Sequence, residues 1–151
     1  MWKRWNGDPV RDDPSRNSYN HYAYGAAGEW LYRYAAGIDT VAVDPGFHTI
    51  ALHPAFDPRL GSLDFSYESP YGTIRSTWKV TGSQANWQLT IPPNSKGRLR
   101  LSPEQARLYR LDGKAIARIT KAKVVANEGG EQAYEFEAGT YSFTVQLPQV
   151  R

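Results

Sequence analysis

At Asp44-Pro45-Gly46 the apolar pattern of this chain changes period, and that break limits the folds open to it. Upstream, Tyr22, Ala26, Trp30 and Tyr34 follow i, i+4 spacing, and so do His21, Gly25, Glu29 and Arg33. Two such adjoining rows read as one helix. Asn17 or Ser18 suits its N-cap, the helix runs from about Tyr19 to Ala36, and Gly37 is the natural stop, with Arg33 in the last turn. Downstream, side chains alternate with period 2. The expected strands are Phe47–His53, Leu63–Glu68, Thr73–Thr81, Asn86–Ile91, Gly97–Leu101, Arg107–Leu111, Ala122–Ala126, Tyr134–Glu137 and Thr140–Leu147. Turn residues separate them, and Asp112-Gly113 is a strong two-residue hairpin signal. The pattern predicts a mainly β, α+β chain: one long N-terminal helix followed by an antiparallel β-sandwich.

Composition removes several function classes. The 151 residues contain no Cys, so disulfides and thiolate-ligated metals are excluded. The net charge of +3 comes from scattered basic residues with no Lys/Arg run of nucleic-acid-binding length. Lys96, Arg98 and Arg100 alternate along one strand, so their charges are expected to share a solvated face. Neither nucleic acid nor membrane is expected as a partner. There is no apolar run long enough to span a bilayer, and the polar start, MWKRWNGDPVRDDPSRN, lacks the apolar core of a signal peptide. A soluble chain is expected, in a compartment the sequence leaves open.

The chemistry concentrates between Asn17 and Ile38, NSYNHYAYGAAGEWLYRYAAGI. This segment holds His21, Glu29, Trp30 and five Tyr, and it carries Gly25 and Gly28 inside the helical pattern. An interior Gly costs a helix about 1 kcal/mol against Ala, so two of them suggest a close-packing or ligand reason. Aromatic rings stack on the apolar faces of sugar rings, and polar tips reach their hydroxyls, so this set suits a sugar pocket.

The same segment resembles the closing helix of the catalytic barrel in bacterial α-L-rhamnosidases. Met1–Gly7, MWKRWNG, resembles the family's T-x-W-E-R-W segment just before that helix. PGFHTIALHP at Pro45–Pro54 resembles the first strand of the family's C-terminal β-domain, and SPYG and IPPN resemble two of its turns. The likeness fades after about Leu101. It implies that residues 1–40 are the C-terminal remnant of a six-hairpin (α/α)6 barrel and residues 41–151 a C-terminal β-sandwich domain. It also implies that the chain is a piece of a longer enzyme.

Each candidate residue has two readings. Glu29 is either a helix-surface acid pairing with Arg33 at i+4 or, by the resemblance, the general base of an inverting glycosidase. His21 is a first-turn surface His or, by the resemblance, a contact to a sugar hydroxyl. Tyr24 stacks on sugar or packs in the core. Trp2 and Trp5 either line the pocket or anchor their loop. His48 and His53 are expected on opposite faces of one strand, so no metal site is predicted, and the hydrolysis the resemblance implies needs no cofactor. Trp78 and Trp87 are expected in the sandwich core, and the pairs Asp57/Asp64 and Glu135/Glu137 in solvent. No partner acid for Glu29 is visible, which implies that the chain alone is inactive. The expected function is that of a C-terminal fragment of a glycoside hydrolase releasing terminal α-L-rhamnose from rhamnose-containing glycosides or polysaccharides. The alternative is a non-catalytic carbohydrate-binding or structural β-module. The apolar helix stripe, bared of its barrel neighbours, suggests homo-oligomerisation.

Overall fold

Alternation along the strands sets the architecture. In a computed structural model, residues 23–119, 122–125 and 130–148 are described; for Ala23, Tyr24, Ala122, Lys123 and Val125 this covers the backbone. The chain divides into two compact units, Met1–Leu31 and Tyr32–Arg151. The first contributes helix α1, Ala23–Trp30, which runs into a π turn, Leu31–Ala35, where the unit boundary falls. The helix therefore ends at Ala35, one residue before the predicted Ala36. The described part of the predicted long helix is short, and its expected start at Tyr19 lies outside the described residues.

The second unit is a sandwich of two sheets. The larger contains β3 (Ser62–Ser69), β4 (Gly72–Thr81), β5 (Gln84–Ile91), β7 (Tyr109–Leu111), β8 (Lys114–Ala115) and β11 (Gly139–Gln146), in the order β3-β4-β5-β11-β7-β8. The smaller contains β1 (Ile38–Thr40), β2 (Thr49–Leu52), β6 (Lys96–Leu101), β9 (Ala122–Val125) and β10 (Gln132–Phe136), in the order β1-β2-β6-β10-β9. Ile74, Ser76 and Trp78 of β4 and Ala85, Trp87, Leu89 and Ile91 of β5 all point inward and are buried. They meet Ile50, Leu52, Leu99, Leu101, Tyr134 and Phe136 from the other sheet. Phe136 and Phe143 bridge the sheets edge to face at 5.5 Å, and Phe143 stacks on Trp87 at 4.6 Å. Gly97 lets the sheets close: a Cβ there would sit 2.6 Å from Ile91 Cδ1 and 2.8 Å from Leu52 Cδ1.

Three elements depart from the sequence expectation. β1 was not predicted; it pairs with β2 as soon as the helix ends. The β2–β6 pairing is parallel, while the other ladders are antiparallel. Arg107 and Leu108 lie in helix α2, Pro103–Leu108, not in a strand. Its cause is local: Ser102 accepts from Gln105 N–H while the Gln105 side chain accepts from Ser102 N–H, with Pro103 in the first turn. The strand predicted there starts at Tyr109 and turns at Asp112-Gly113, whose φ values of 49° and 77° suit the expected tight hairpin.

Candidate functional site

A helix end leaves its last carbonyls without intrahelical partners. Here the sandwich supplies donors for four consecutive ones. Ala55 N–H donates to Tyr34 O at 3.0 Å and His53 N–H to Gly37 O at 3.0 Å. Between them, Trp78 Nε1–H donates to Ala35 O and the Ser76 hydroxyl to Ala36 O, each at 2.9 Å. Ser76 Oγ in turn accepts from Trp87 Nε1–H at 3.0 Å. One hydroxyl thus joins the helix end to the second core tryptophan, and both indole N–H groups are consumed. Each bond contributes about 1 kcal/mol net, but a buried group left unpaired costs about 1–3 kcal/mol.

The approach is close because the residues are small. Ala35 and Ala36 are fully buried. Gly37 adopts φ +66°, as a helix stop requires, and a Cβ there would lie 2.1 Å from Pro54 N. Around this clamp, Tyr32 stands edge-on to Phe65 at 4.2 Å and to Tyr67 at 5.8 Å. Arg33 pairs with Asp39 at 2.9 Å, and Tyr34 tilts against His53. Asp44 accepts from Thr49 Oγ1 at 2.6 Å and bonds His48 Nδ1 at 3.0 Å, and these bonds hold its carboxyl below the usual range. His48 and His53 flank β2 instead of lying in it. Among the described residues no cluster of three or more His, Asp or Glu is arranged to hold a metal.

The predicted site residues fare unequally. Glu29 lies on α1 with an exposed side chain. Tyr24 is on the same helix by its backbone. His21 and Trp5, like Trp2, lie outside the described residues. At Gly25 and Gly28 a Cβ would meet nothing within 4 Å, so among the described residues the close-packing half of the expectation finds no support. Trp78 and Trp87 are core, as predicted. Asp57 and Asp64 are surface acids bonded to Arg59 and Arg75. Glu135 is not solvated. Its side chain is 11% exposed and is held by Arg98 at 3.0 Å and Lys96 at 3.3 Å. Burial pushes its carboxyl up, and the two cations more than offset that, leaving it below the usual range. The face shared by Lys96, Arg98 and Arg100 is therefore only partly solvated.

Residues 37–115, from the helix-stopping Gly37 to the end of β8, match the family described as the bacterial α-L-rhamnosidase C-terminal domain. The chain belongs to this family. An α-L-rhamnosidase from Formosa agariphila is 28% identical over 95% of this chain and 16% of its own length. One from Streptomyces avermitilis is 27% identical over 96% of the chain and 13% of its own length. The crystal structure of a Streptomyces avermitilis α-L-rhamnosidase complexed with L-rhamnose superposes with a TM-score of 0.65 at 27% identity, covering 97% of this chain and 14% of that one. An α-L-rhamnosidase from Dictyoglumus thermophilum shares the fold, with a TM-score of 0.68 at 20% identity over 97% of this chain and 16% of that one. The chain thus spans about one-seventh of the length of the relatives it matches. Among the described residues no helix is long and apolar enough to cross a membrane.

Proposed function

We propose that this chain supplies the closing barrel helix, within residues 1–40, and the C-terminal β-domain of a glycoside hydrolase that releases terminal α-L-rhamnose with inversion. Glu29 is the general base in this reading. Its carboxylate takes a proton from the water that attacks the anomeric carbon, while a carboxylic acid outside this sequence protonates the departing oxygen. Two carboxyl groups and a water suffice, so no cofactor enters. His21, Tyr24 and Trp5 would contact the sugar.

The observation that carries the β-domain's part is the four-carbonyl clamp on Tyr34–Gly37. It favours scaffolding over sugar binding by the sheets, because Trp78 and Trp87 are buried with their N–H groups committed. In the full-length enzyme, Glu29→Gln should lower kcat by at least about 100-fold with a smaller effect on KM; a near-wild-type kcat refutes the base. His21→Ala should raise KM and weaken rhamnose inhibition, and no change in either refutes that contact. The 151-residue sequence by itself should not turn over an aryl α-L-rhamnoside. Turnover that vanishes in Glu29→Ala would mean that an acid inside it completes the site. Tyr34, at 53% exposure, belongs to the apolar helix stripe, and in the separate chain we expect that stripe to drive self-association. A monomer in sedimentation at tens of micromolar refutes this.

A further inference from the structure

At the far edge of the larger sheet from β3, helix α2, the β7–β8 hairpin and the 3-10 turn Ile116–Arg118 enclose an open cleft of about 850 Å³. Four cations line it: Arg107, Arg110, Lys114 and Arg118. None has a carboxylate partner among the described residues. Elsewhere on the sandwich several cations are held by acids, Arg98 and Lys96 by Glu135 and Arg75 by Asp64, whereas these four gather in one cleft. Arg110 is also held in place. Its Nη1 donates to Arg107 O at 3.1 Å and to Tyr109 O at 3.5 Å, at the end of α2. Its Nε and Nη2 make no bond among the described residues. A guanidinium fixed by one edge presents the other as a ready two-pronged donor for a carboxylate or sulfate. Below it, Tyr134 O–H donates to Gln132 Oε1 at 2.9 Å, which turns the Gln132 amide N–H groups away as further donors.

We propose that this cleft binds the carboxylate or sulfate groups of an acidic oligosaccharide. The size fits a sugar ring or two. That the anion is carried on a glycan rests on the glycosidase reading above. A nucleic acid is the poorer fit, because single strands need exposed rings to stack on and the Tyr134 ring is fully buried.

The test is calorimetric titration of the 151-residue chain with a galacturonate tetramer at low and high salt. The controls are the fully methyl-esterified tetramer, inorganic sulfate and a single-stranded oligonucleotide of equal charge. The expected result is binding of the acid tetramer that weakens by about tenfold or more as salt rises, with none for the neutral ester. Arg110→Gln should weaken it by about tenfold. Lys114→Gln/Arg118→Gln, at exposed positions clear of the core, should do the same with an unchanged melting curve. Equal binding of the ester, or unaltered binding in both variants, overturns the site. Sulfate binding as tightly as the tetramer reduces it to a free-anion site, and tighter oligonucleotide binding replaces the glycan with nucleic acid. None of these readouts involves rhamnoside turnover. If tetramer binding holds while Glu29→Gln keeps its kcat in the full-length enzyme, the cleft stands and the base does not.

Discussion

The helix clamp and the cation-lined cleft are two polar regions of one sandwich, and they are built on opposite rules. At the clamp every polar group is neutral and matched, and the inner bonds to Ala35 and Ala36 are buried: four carbonyls meet two backbone N–H groups, one indole and one hydroxyl. At the cleft four full charges face solvent with no acid partner among the described residues. Buried polar groups hold a structure only when all are satisfied, whereas exposed charges cost the fold little and remain available. The contrast separates a region that maintains the fold from one that can recruit a ligand.

Substitutions should reproduce that ranking. Gly37→Ala strikes the clamp hardest. The added Cβ would meet the Pro54 backbone, which cannot swing aside, at a left-handed φ. We expect a loss of about 4 kcal/mol or failure to fold, read by urea denaturation. A loss within about 1 kcal/mol would mean that the helix end is not clamped as described. Ser76→Ala comes next. It leaves Ala36 O and Trp87 Nε1–H unpaired in the core, for an expected loss of about 2–3 kcal/mol. The conservative Ser76→Thr should recover part of the bonding but strain the packing, so its stability should fall between those of the wild type and Ser76→Ala.

Glu135 tests the middle ground, a charge that is mostly buried yet paired. Because its folded carboxyl titrates below the usual range, its contribution is complete at neutral pH and is lost as pH falls through the folded value. Glu135→Gln should cost about 1–2 kcal/mol at pH 7 and flatten the decline of stability between about pH 5 and 3. Arg98 Nε has no bond partner among the described residues, which places the expected cost toward the lower figure. An unchanged acid limb would show that the pair is as weak as a surface one. Last, Lys114→Gln and Arg118→Gln should each change stability by less than about 0.5 kcal/mol. A larger loss would mean that the cleft cations hold the fold, and the contrast would fail.

The parts of the fold set by neighbours in sequence were legible from it. Ile74, Ser76 and Trp78 alternate inward along β4, Gly37 ends the helix, and Asp112-Gly113 turns the hairpin. The α2 helix was legible too, in Ser102-Pro103-Glu104-Gln105, but the alternation of Arg107–Leu111 imitates a strand and competes with the cap. What was hidden depends on partners far along the chain. Glu135 looks solvated until β10 is laid beside β6, 37 residues away from it at Arg98. Alternation carries no information on strand direction, so the parallel β2–β6 pair leaves no mark. The four cleft cations are spread over a helix, a hairpin and a 3-10 turn, and read singly they are ordinary surface charges. Trp78 reaches a backbone carbonyl, which every residue has, so no residue type announces it. Of the candidate site, Glu29 on a helix was legible. For the second carboxyl that the proposed reaction needs, no motif in the sequence points to a residue.

The clamp bonds only main chain and asks of the side chains there only that they be small. Trp78 and Ser76 would grip any helix that ends in two small residues and a glycine, since Ala35-Ala36-Gly37 offers them only carbonyl oxygens and room to approach. In engineering terms the β-domain is a generic socket with a three-residue plug. A foreign helix finishing in Ala-Ala-Gly should seat in it, and one finishing in bulky residues should not, however well the rest of its surface is suited.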